Sequence, residues 1–160
     1  MSSRLGRVTA GLAVVALGVP ALAVAKGRGH DHGETFTVFA TEVTDQFFDA
    51  GEPGPSPGDR AVFATSFTRE GGPSGVAGGS CTVTNLNADG TFTASCQAVS
   101  RDRDGLLASQ SLVTFRNGLQ PPFKLAITGG TGRYSGAGGE VEVRQLTDTT
   151  ETYTVRLDRR

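Results

Sequence analysis

A glycine-rich run near the carboxyl end of this chain constrains its fold more than any other feature. Six of the fifteen residues in 127–141 are glycine, a density typical of loops that bind phosphate between a strand and a helix. Two observations argue against a phosphate loop. Ser135 stands where a dinucleotide-binding fingerprint has its third glycine, and the residues after Gly139 alternate between polar and apolar side chains, which is the period of a strand. The run therefore predicts a connection between two β-strands, where glycine permits positive φ and close approach of the backbone.

The same period-two alternation along the rest of the chain predicts an all-β domain. The 23 glycines and 7 prolines favour short strands joined by turns, and no segment outside the first 25 residues has convincing helical periodicity. Several strands carry large apolar residues on one face and polar residues on the other, as expected when one face is buried and the other meets water. Eight strands are predicted, at about residues 34–43, 60–68, 80–86, 91–99, 106–115, 123–128, 140–146 and 151–157.

Eight short antiparallel strands in one small domain predict a barrel or a sandwich, and we expect an eight-stranded antiparallel β-barrel. A closed barrel leaves no unpaired edge, and at this strand number its interior is wide enough for one small ligand. The alternative is a barrel whose interior is packed solid with its own side chains and binds nothing.

The first 25 residues have the pattern of a secretory signal peptide. Arg4 and Arg7 precede an apolar run at 12–19 that is too short to span a membrane as a helix. Small residues follow it and predict cleavage after Ala23 or Ala25. We therefore predict that the protein is secreted.

The remainder of the chain is one domain's worth of sequence. Residues 26–33 are polar and glycine-rich and predict a flexible linker, which leaves 34–160 as a single β-barrel domain. Without Arg4 and Arg7, 13 of the 15 basic residues remain against 16 acidic ones, a net charge of −3. Nucleic acids and anionic membranes call for a basic face, so neither is predicted as a partner of the mature protein. Both histidines lie in the linker, and we predict neither a metal site nor another cofactor.

Two cysteines flank a predicted hairpin turn. Asp89 and Gly90 form a strong turn signal, with Cys81 in the alternating run before it and Cys96 in the run after it. If the cysteines lie opposite each other, their face of the hairpin also carries Val83, Asn85, Phe92 and Ala94. We predict a disulfide, which in an oxidising compartment would stabilise the fold by about 3 kcal/mol. The alternative, a nucleophilic or metal-binding thiol, would need a base or further ligands, and the sequence offers none nearby.

Three segments resemble the allene oxide cyclase-like and dirigent-like barrel superfamily. They are Gly58-Asp59 followed by Phe63, the run Gly79-Ser80-Cys81-Thr82-Val83, and the glycine-rich run described above. The resemblance implies an eight-stranded antiparallel barrel of the lipocalin-like kind, which is frequently a homotrimer in the plant members. It also implies that the lumen holds a small hydrophobic or phenolic molecule and steers its cyclisation or coupling by fixing its conformation.

The resemblance points to one candidate catalytic residue. Plant allene oxide cyclases place a glutamate and an asparagine on the first strand, facing the lumen, and here Ala40 and Glu42 stand at those positions. Glu42 shares a strand face with Phe36 and Val38, so a desolvated carboxylate there would have a raised pKa and suit proton transfer. The alternative is that the strand ends at Glu42, whose side chain then reaches water at the barrel mouth.

The remaining candidates line the lumen or its rim. Arg133 and Tyr134 could face a ligand from the rim or simply cover the barrel end. Asp59, also at the rim, could pair with Arg60 or cap its own turn. The arginine of the dirigent-like Ala-Arg-Gly pattern is absent, since residues 137–139 read Ala-Gly-Gly. The predicted ligand-binding residues are Phe36, Val38, Ala40, Phe63, Phe92 and Leu125.

Three functions fit the sequence. The first is an exported barrel that binds a small hydrophobic or aromatic molecule and steers its cyclisation without a cofactor. The second is an isomerase or cyclase that uses Glu42 as acid or base. The third is a non-catalytic secreted structural or interaction module with a solid barrel core. A hydrolase is not indicated, because no nucleophile elbow is present and the predicted domain lacks a histidine.

Overall fold

The computed structural model describes residues 32–51 and 53–158, which form a closed barrel of eight antiparallel strands. Each strand pairs with the next along the chain, and the last pairs back onto the first. The predicted barrel is thus confirmed, in preference to a sandwich. The strands are β1 (His32–Phe48), β2 (Arg60–Arg69), β3 (Gly75–Leu86), β4 (Phe92–Asp102), β5 (Gly105–Phe115), β6 (Phe123–Gly130), β7 (Gly139–Gln145) and β8 (Thr150–Asp158).

The amino-terminal predictions fall largely outside this part of the chain. The signal peptide, 1–25, and the linker as far as residue 31 lie outside the described residues. The last two residues of the predicted linker already belong to β1. Within the described residues, no helix is long and apolar enough to cross a membrane.

β1 is longer than the sequence predicts because it contains a bulge. The strand continues to Phe48 instead of ending at Val43. Its register with β2 shifts between Glu42 and Thr44, so one residue is inserted and the in-out alternation changes phase. The side chains of β1 that line the lumen are Phe36, Val38, Ala40 and Glu42 before the bulge and Asp45 and Phe47 after it.

β3 begins at Gly75 instead of the predicted Ser80, because its glycines make room for aromatic rings of β2. Gly75 lies opposite Phe67, and Gly79 lies opposite Phe63. A Cβ at Gly75 would come within 2.5 Å of the Phe67 ring, and one at Gly79 within 2.7 Å of the Phe63 ring. The rings therefore occupy the space that side chains on β3 would fill, and these glycines belong to a strand and not to a turn.

The predicted hairpin and its disulfide are present in β3 and β4. Cys81 pairs with Cys96 in the strand register and is bonded to it, with 4.0 Å between the Cα atoms. The predicted register is wrong beyond Val83, where a shift pairs Asn85 with Thr93 and not with Phe92. The extra residue on β3 is a second bulge, which a pattern-based register cannot include.

The two ends of the barrel differ in how they are covered. We call one end the closed end; its connections are 70–74, 103–104 and 131–138, the last containing a 3₁₀ turn, Gly132–Tyr134. Pro73 and Tyr134 are buried there against the lumen, so they cover it. The opposite end is the mouth, with connections 49–59, 87–91, 116–122 and 146–149.

Strands β5 to β8 contain the largest buried apolar cluster of the described residues. Complete burial of one large apolar side chain stabilises a fold by roughly 1.5–3 kcal/mol, so apolar burial contributes most to stability on this side of the barrel. The cluster consists of Leu107, Leu125, Ile127, Tyr134, Val141, Val143, Val155 and Leu157.

Candidate functional site in the barrel lumen

The barrel interior is hollow. A cavity of ≈ 380 Å³ occupies the lumen, which is within the range of small-molecule sites. This space counts against the alternative of a solid barrel core. The six residues predicted to bind a ligand all lie in the cavity wall, although binding by them stays a prediction: Phe36, Val38, Ala40, Phe63, Phe92 and Leu125.

Much of the cavity wall is aromatic. Phe63 and Phe67 lie on β2, each facing a glycine of β3. At the mouth, Phe92 stacks on Phe115 with 5.5 Å between ring centroids, and Phe115 meets Phe123 edge-on at 6.2 Å. The lumen therefore offers flat apolar surfaces from its middle to its entrance.

Carboxylates gather where the cavity reaches the mouth. Glu42, Asp45, Asp148 and Glu151 line this region, and no Lys or Arg among the described residues forms an ion pair with them. Partial burial, and then the negative charges of Asp45 and Glu151, raise the pKa of Glu42 above its ordinary value. Its side chain is exposed, so Glu42 lines the cavity and also reaches water. A carboxyl in this position exchanges a proton nearer neutral pH than an ordinary one.

A tyrosine and a threonine lie beside these carboxylates. The Tyr153 hydroxyl donates a hydrogen bond to Glu151 Oε2 at 2.6 Å. Burial, and then the charge of Glu151, raise the pKa of Tyr153, so the phenol keeps its proton and remains a donor. Thr65 pairs with Glu42 in the register of β1 and β2 and lines the cavity. Its hydroxyl oxygen is buried near the Tyr153 hydroxyl and has no well-aligned hydrogen bond in the described part of the chain.

At the closed end, by contrast, charges are paired. Arg69 lies over the Phe36 ring, 3.6 Å from its centroid, and donates a hydrogen bond to Glu34 at 3.0 Å. Arg133 also donates to Glu34, at 3.0 Å. Burial acts to raise the pKa of Glu34, but the hydrogen bonds and charges of Arg69 and Arg133 hold it below its ordinary value.

The two predicted rim residues of the glycine-rich run occupy different positions. Tyr134 is 3% exposed, lines the cavity and donates a hydrogen bond to Asp102 Oδ2 at 2.8 Å. Burial, and then this bond, raise the pKa of Tyr134 to about 12. Arg133 is exposed and lies near Glu34 and Asp104, outside the residues that line the cavity.

Asp59, the third predicted rim residue, is fully buried within the long connection between β1 and β2. Its carboxylate accepts hydrogen bonds from the backbone N–H groups of Ala50 and Ser56, at 2.8 and 2.6 Å. The bond from Ala50 is the main cause of a lowered pKa for Asp59. This is the geometry of the turn-capping alternative, and Arg60 instead donates a hydrogen bond to Ser80.

The sequence analysis did not select several polar residues of the cavity wall, although a signal for some of them was present. Glu151 and Tyr153 share the strand parity of the apolar Val155 and Leu157, which indicates an inward face. Among the residues not selected are Thr65, Arg69, Asp102, Glu151 and Tyr153. Within the described residues, no group of three or more His, Cys, Asp or Glu side chains is placed to hold a metal ion.

Comparison with known proteins gives a family and a set of similar structures. A family model described as the allene oxide cyclase barrel like domain matches residues 37–157. A solved pyocyanin demethylase is 30% identical, with a TM-score of 0.69, over 78% of this chain and 99% of that one. No curated protein sequence matches the chain.

Two further structures share the fold at lower identity. A Diels–Alderase from Streptomyces koyangensis is 16% identical, with a TM-score of 0.63, over 81% of this chain and 70% of that one. A pterocarpan synthase dirigent protein is 15% identical, with a TM-score of 0.56, over 79% of this chain and 96% of that one.

Proposed function

Because this chain belongs to the allene oxide cyclase barrel-like family, we propose that it binds a small hydrophobic or aromatic molecule in its lumen and promotes its rearrangement or cyclisation without a cofactor. The observation that carries the proposal is the cavity of ≈ 380 Å³ with an aromatic wall and polar groups concentrated at the mouth. Sites for small molecules commonly combine a mostly apolar wall with a few polar groups that fix orientation.

The mouth supplies the groups that such a reaction needs. Glu42, with its raised pKa, is the proposed acid or base, which takes a proton from one atom of the ligand and returns it to another. Tyr153 is the proposed hydrogen-bond donor, held by Glu151. The net change is an isomerisation, because the proton returns to the ligand and no electrons are gained or lost. The apolar wall would favour one folded conformation of the ligand over others.

The similar structure that is 30% identical to this chain supports an aromatic ligand. Its name makes pyocyanin, an aromatic heterocycle, the molecule on which that protein acts. For this chain we therefore propose planar aromatic molecules as the first class of ligand to test, with pyocyanin among them.

Binding in the lumen can be tested by filling it. Ala98 of β4 lines the cavity, and its neighbour Val99 faces outward with 46% of its surface exposed. Ala98→Trp should weaken binding of an aromatic ligand at least about tenfold, because the indole takes the ligand's space. Val99→Trp, the matched control, should bind as the unaltered protein does. Fluorescence titration measures both, and equal binding by the two variants would disprove a site in the lumen.

The catalytic part has a separate test. Once a ligand that is converted has been found, Glu42→Gln should lower kcat about a hundredfold, a much larger factor than any change in the dissociation constant. Glu70→Gln removes an equal charge from an exposed loop at the closed end and should leave kcat unaltered. Full turnover by Glu42→Gln would leave the barrel as a binding protein without acid–base catalysis.

We also propose that the protein acts outside the reducing cytoplasm. The disulfide between Cys81 and Cys96 supports this, since such bonds persist in oxidising compartments. Mass spectrometry of protein recovered from the culture medium should give a chain that starts after Ala23 or Ala25, with no free thiol. A full-length chain with free thiols in the cytoplasm would contradict export. The homotrimer implied by the resemblance stays a prediction, which native mass spectrometry of the same sample tests.

A further inference from the structure

The wall of the lumen carries an excess of negative charge. The described residues that line it include one basic side chain, Arg69. Arg69 lies 3.0 Å from Glu34, so its charge is already balanced by a carboxylate. The acidic side chains in the wall number five: Glu42, Asp45, Asp102, Asp148 and Glu151.

A buried hydroxyl without a well-aligned hydrogen bond gives a second indication of a ligand. Thr65 is 6% exposed and lines the cavity beside Glu42. Its Oγ1 lies near the Tyr153 hydroxyl but forms no well-aligned hydrogen bond in the part of the chain that the structure describes. A buried polar atom left without a partner costs about 1–3 kcal/mol. Such an atom facing a cavity indicates that a polar group of a bound molecule completes it.

The aromatic wall suits a positive charge as well as an apolar ring. The face of a phenylalanine ring attracts cations, and the attraction grows when water is excluded. The closed end already contains one such pair, with the Arg69 guanidinium 3.6 Å from the centroid of the Phe36 ring. Phe63 and Phe67 line the same cavity further along the wall.

We propose that the ligand of this lumen is a planar aromatic cation bearing a hydrogen-bonding group. Its ring lies between the phenylalanines, its positive charge is directed to Glu42, Asp45 and Glu151, and its polar group meets the Thr65 hydroxyl. A carboxylate or phosphate ligand is rejected, because it would bring a like charge to an acidic site. This inference rests on the proposed function and specifies its ligand class.

Three acridines of nearly equal size separate charge from shape. At about pH 7.5, 9-aminoacridine is a cation, acridine is neutral and acridine-9-carboxylate is an anion. We expect 9-aminoacridine to bind at least about tenfold more tightly than acridine and the carboxylate to bind too weakly to measure. Added salt should weaken binding of the cation and leave that of acridine unchanged.

Variants assign the effect to the named residues. Glu42→Gln with Asp45→Asn should reduce the affinity for 9-aminoacridine about tenfold and leave that for acridine unaltered, because only the cation uses these charges. Glu70→Gln removes a negative charge from an exposed loop at the closed end, away from the mouth, and serves as the control. Thr65→Val should reduce the affinity for 9-aminoacridine about fivefold. It should not change the affinity for 10-methylacridinium, which has no N–H group.

The outcomes separate this inference from the proposed function. If acridine binds as tightly as 9-aminoacridine and Ala98→Trp abolishes both, the lumen is a binding site and the charge inference is overturned. If no acridine binds, or if Ala98→Trp leaves their binding intact, the lumen does not take aromatic molecules and both proposals fall. Equal losses in the control and the mouth double variant would also overturn the assignment to the mouth carboxylates.

Discussion

At the closed end of the barrel Glu34 accepts hydrogen bonds from Arg69 and Arg133, whereas at the mouth Glu42 lies near Asp45 and Glu151. The surroundings move the pKa of the two glutamates in opposite directions, down for Glu34 and up for Glu42. A carboxylate with positive partners stabilises a fold, while one among negative neighbours destabilises it when ionised. The closed end therefore uses its charges for structure, and the mouth holds charges that are available to a ligand.

The glycines at the two ends differ in the same way. At Gly132, in the closed end, a Cβ would lie 2.3 Å from the Asp104 carbonyl oxygen. At Gly90, in a hairpin turn of the mouth, a Cβ would meet nothing within 4 Å. The backbone is therefore closely packed around Gly132 and open around Gly90, although Gly71 and Gly136 at the closed end also meet open space.

The largest difference between the ends should appear when these glycines are replaced. Gly132 and Gly90 both have positive φ, +59° and +82°, so alanine meets a similar backbone penalty at each. Gly90→Ala should cost about 1 kcal/mol from that penalty alone. Gly132→Ala should cost about 3 kcal/mol, because its Cβ must also displace backbone. Chemical denaturation measures both, and equal losses would mean that the closed end is no more tightly packed than the mouth.

The disulfide should matter mainly to the mouth half of the barrel. Cys81 and Cys96 share a register position with Ala61 of β2, which pairs with Phe47 beyond the β1 bulge. Replacing both cysteines with alanine should lower the free energy of unfolding by about 3 kcal/mol. Hydrogen exchange should then accelerate in 80–86 and 92–97 more than near Tyr134. Reduction of the unaltered protein is the control, and an equal acceleration at both ends would contradict this view.

The paired carboxylate should stabilise the fold at neutral pH. The pKa of Glu34 is lowered in the folded state, so its contribution is present above the ordinary carboxyl pKa and disappears as the pH falls through the folded-state value. Glu34→Gln should therefore reduce stability by about 1 kcal/mol at neutral pH and by less below about pH 4. Urea denaturation across this range tests it. A constant difference would show that the charge of Glu34 is not the cause.

Replacing Glu42 should have the smallest effect on stability, and this effect should be opposite in sign to that of replacing Glu34. The pKa of Glu42 is raised, so stability is full below the ordinary carboxyl pKa and falls as the pH rises through the folded-state value. Glu42→Gln should therefore gain roughly a few tenths of a kcal/mol at neutral pH, a modest amount because the side chain is exposed to solvent. The gain should vanish in acid. A loss of stability at neutral pH would instead mean that ionised Glu42 stabilises the fold, as Glu34 does.

The fold could be predicted from sequence because its signals are local. Alternation along each strand, the Asp89-Gly90 turn and the facing cysteines each act over a few residues. The bulges in β1 and β3 could not be predicted from the sequence, because the position of an inserted residue depends on how the barrel closes. The first residues of β3 could not be predicted as a strand, because glycines such as Gly75 and Gly79 normally indicate a turn. Only the structure shows that these two glycines face phenylalanine rings of β2.

The site could be predicted only in part, for the same reason. Strand parity identifies the apolar wall, and it would also have identified Glu151 and Tyr153 on β8. It cannot bring Arg133 to Glu34, which is 99 residues away along the chain. It cannot show that the Thr65 hydroxyl has no well-aligned hydrogen bond, since that depends on every neighbouring element. Contacts made by closure of the barrel require the structure.

The bulge in β1 affects how related barrels should be aligned with this one. Val43, within the bulge, is 66% exposed, and Glu42 and Asp45 on either side line the lumen. A relative with a regular strand and one residue fewer would present equivalent side chains to its cavity, so a gap opposite Val43 has no functional meaning. A gap opposite Asp45 would leave Phe47 inward but put Thr44 in the wall in place of Asp45. Homologous positions at the entrance are therefore defined by pleat orientation and not by distance along the chain.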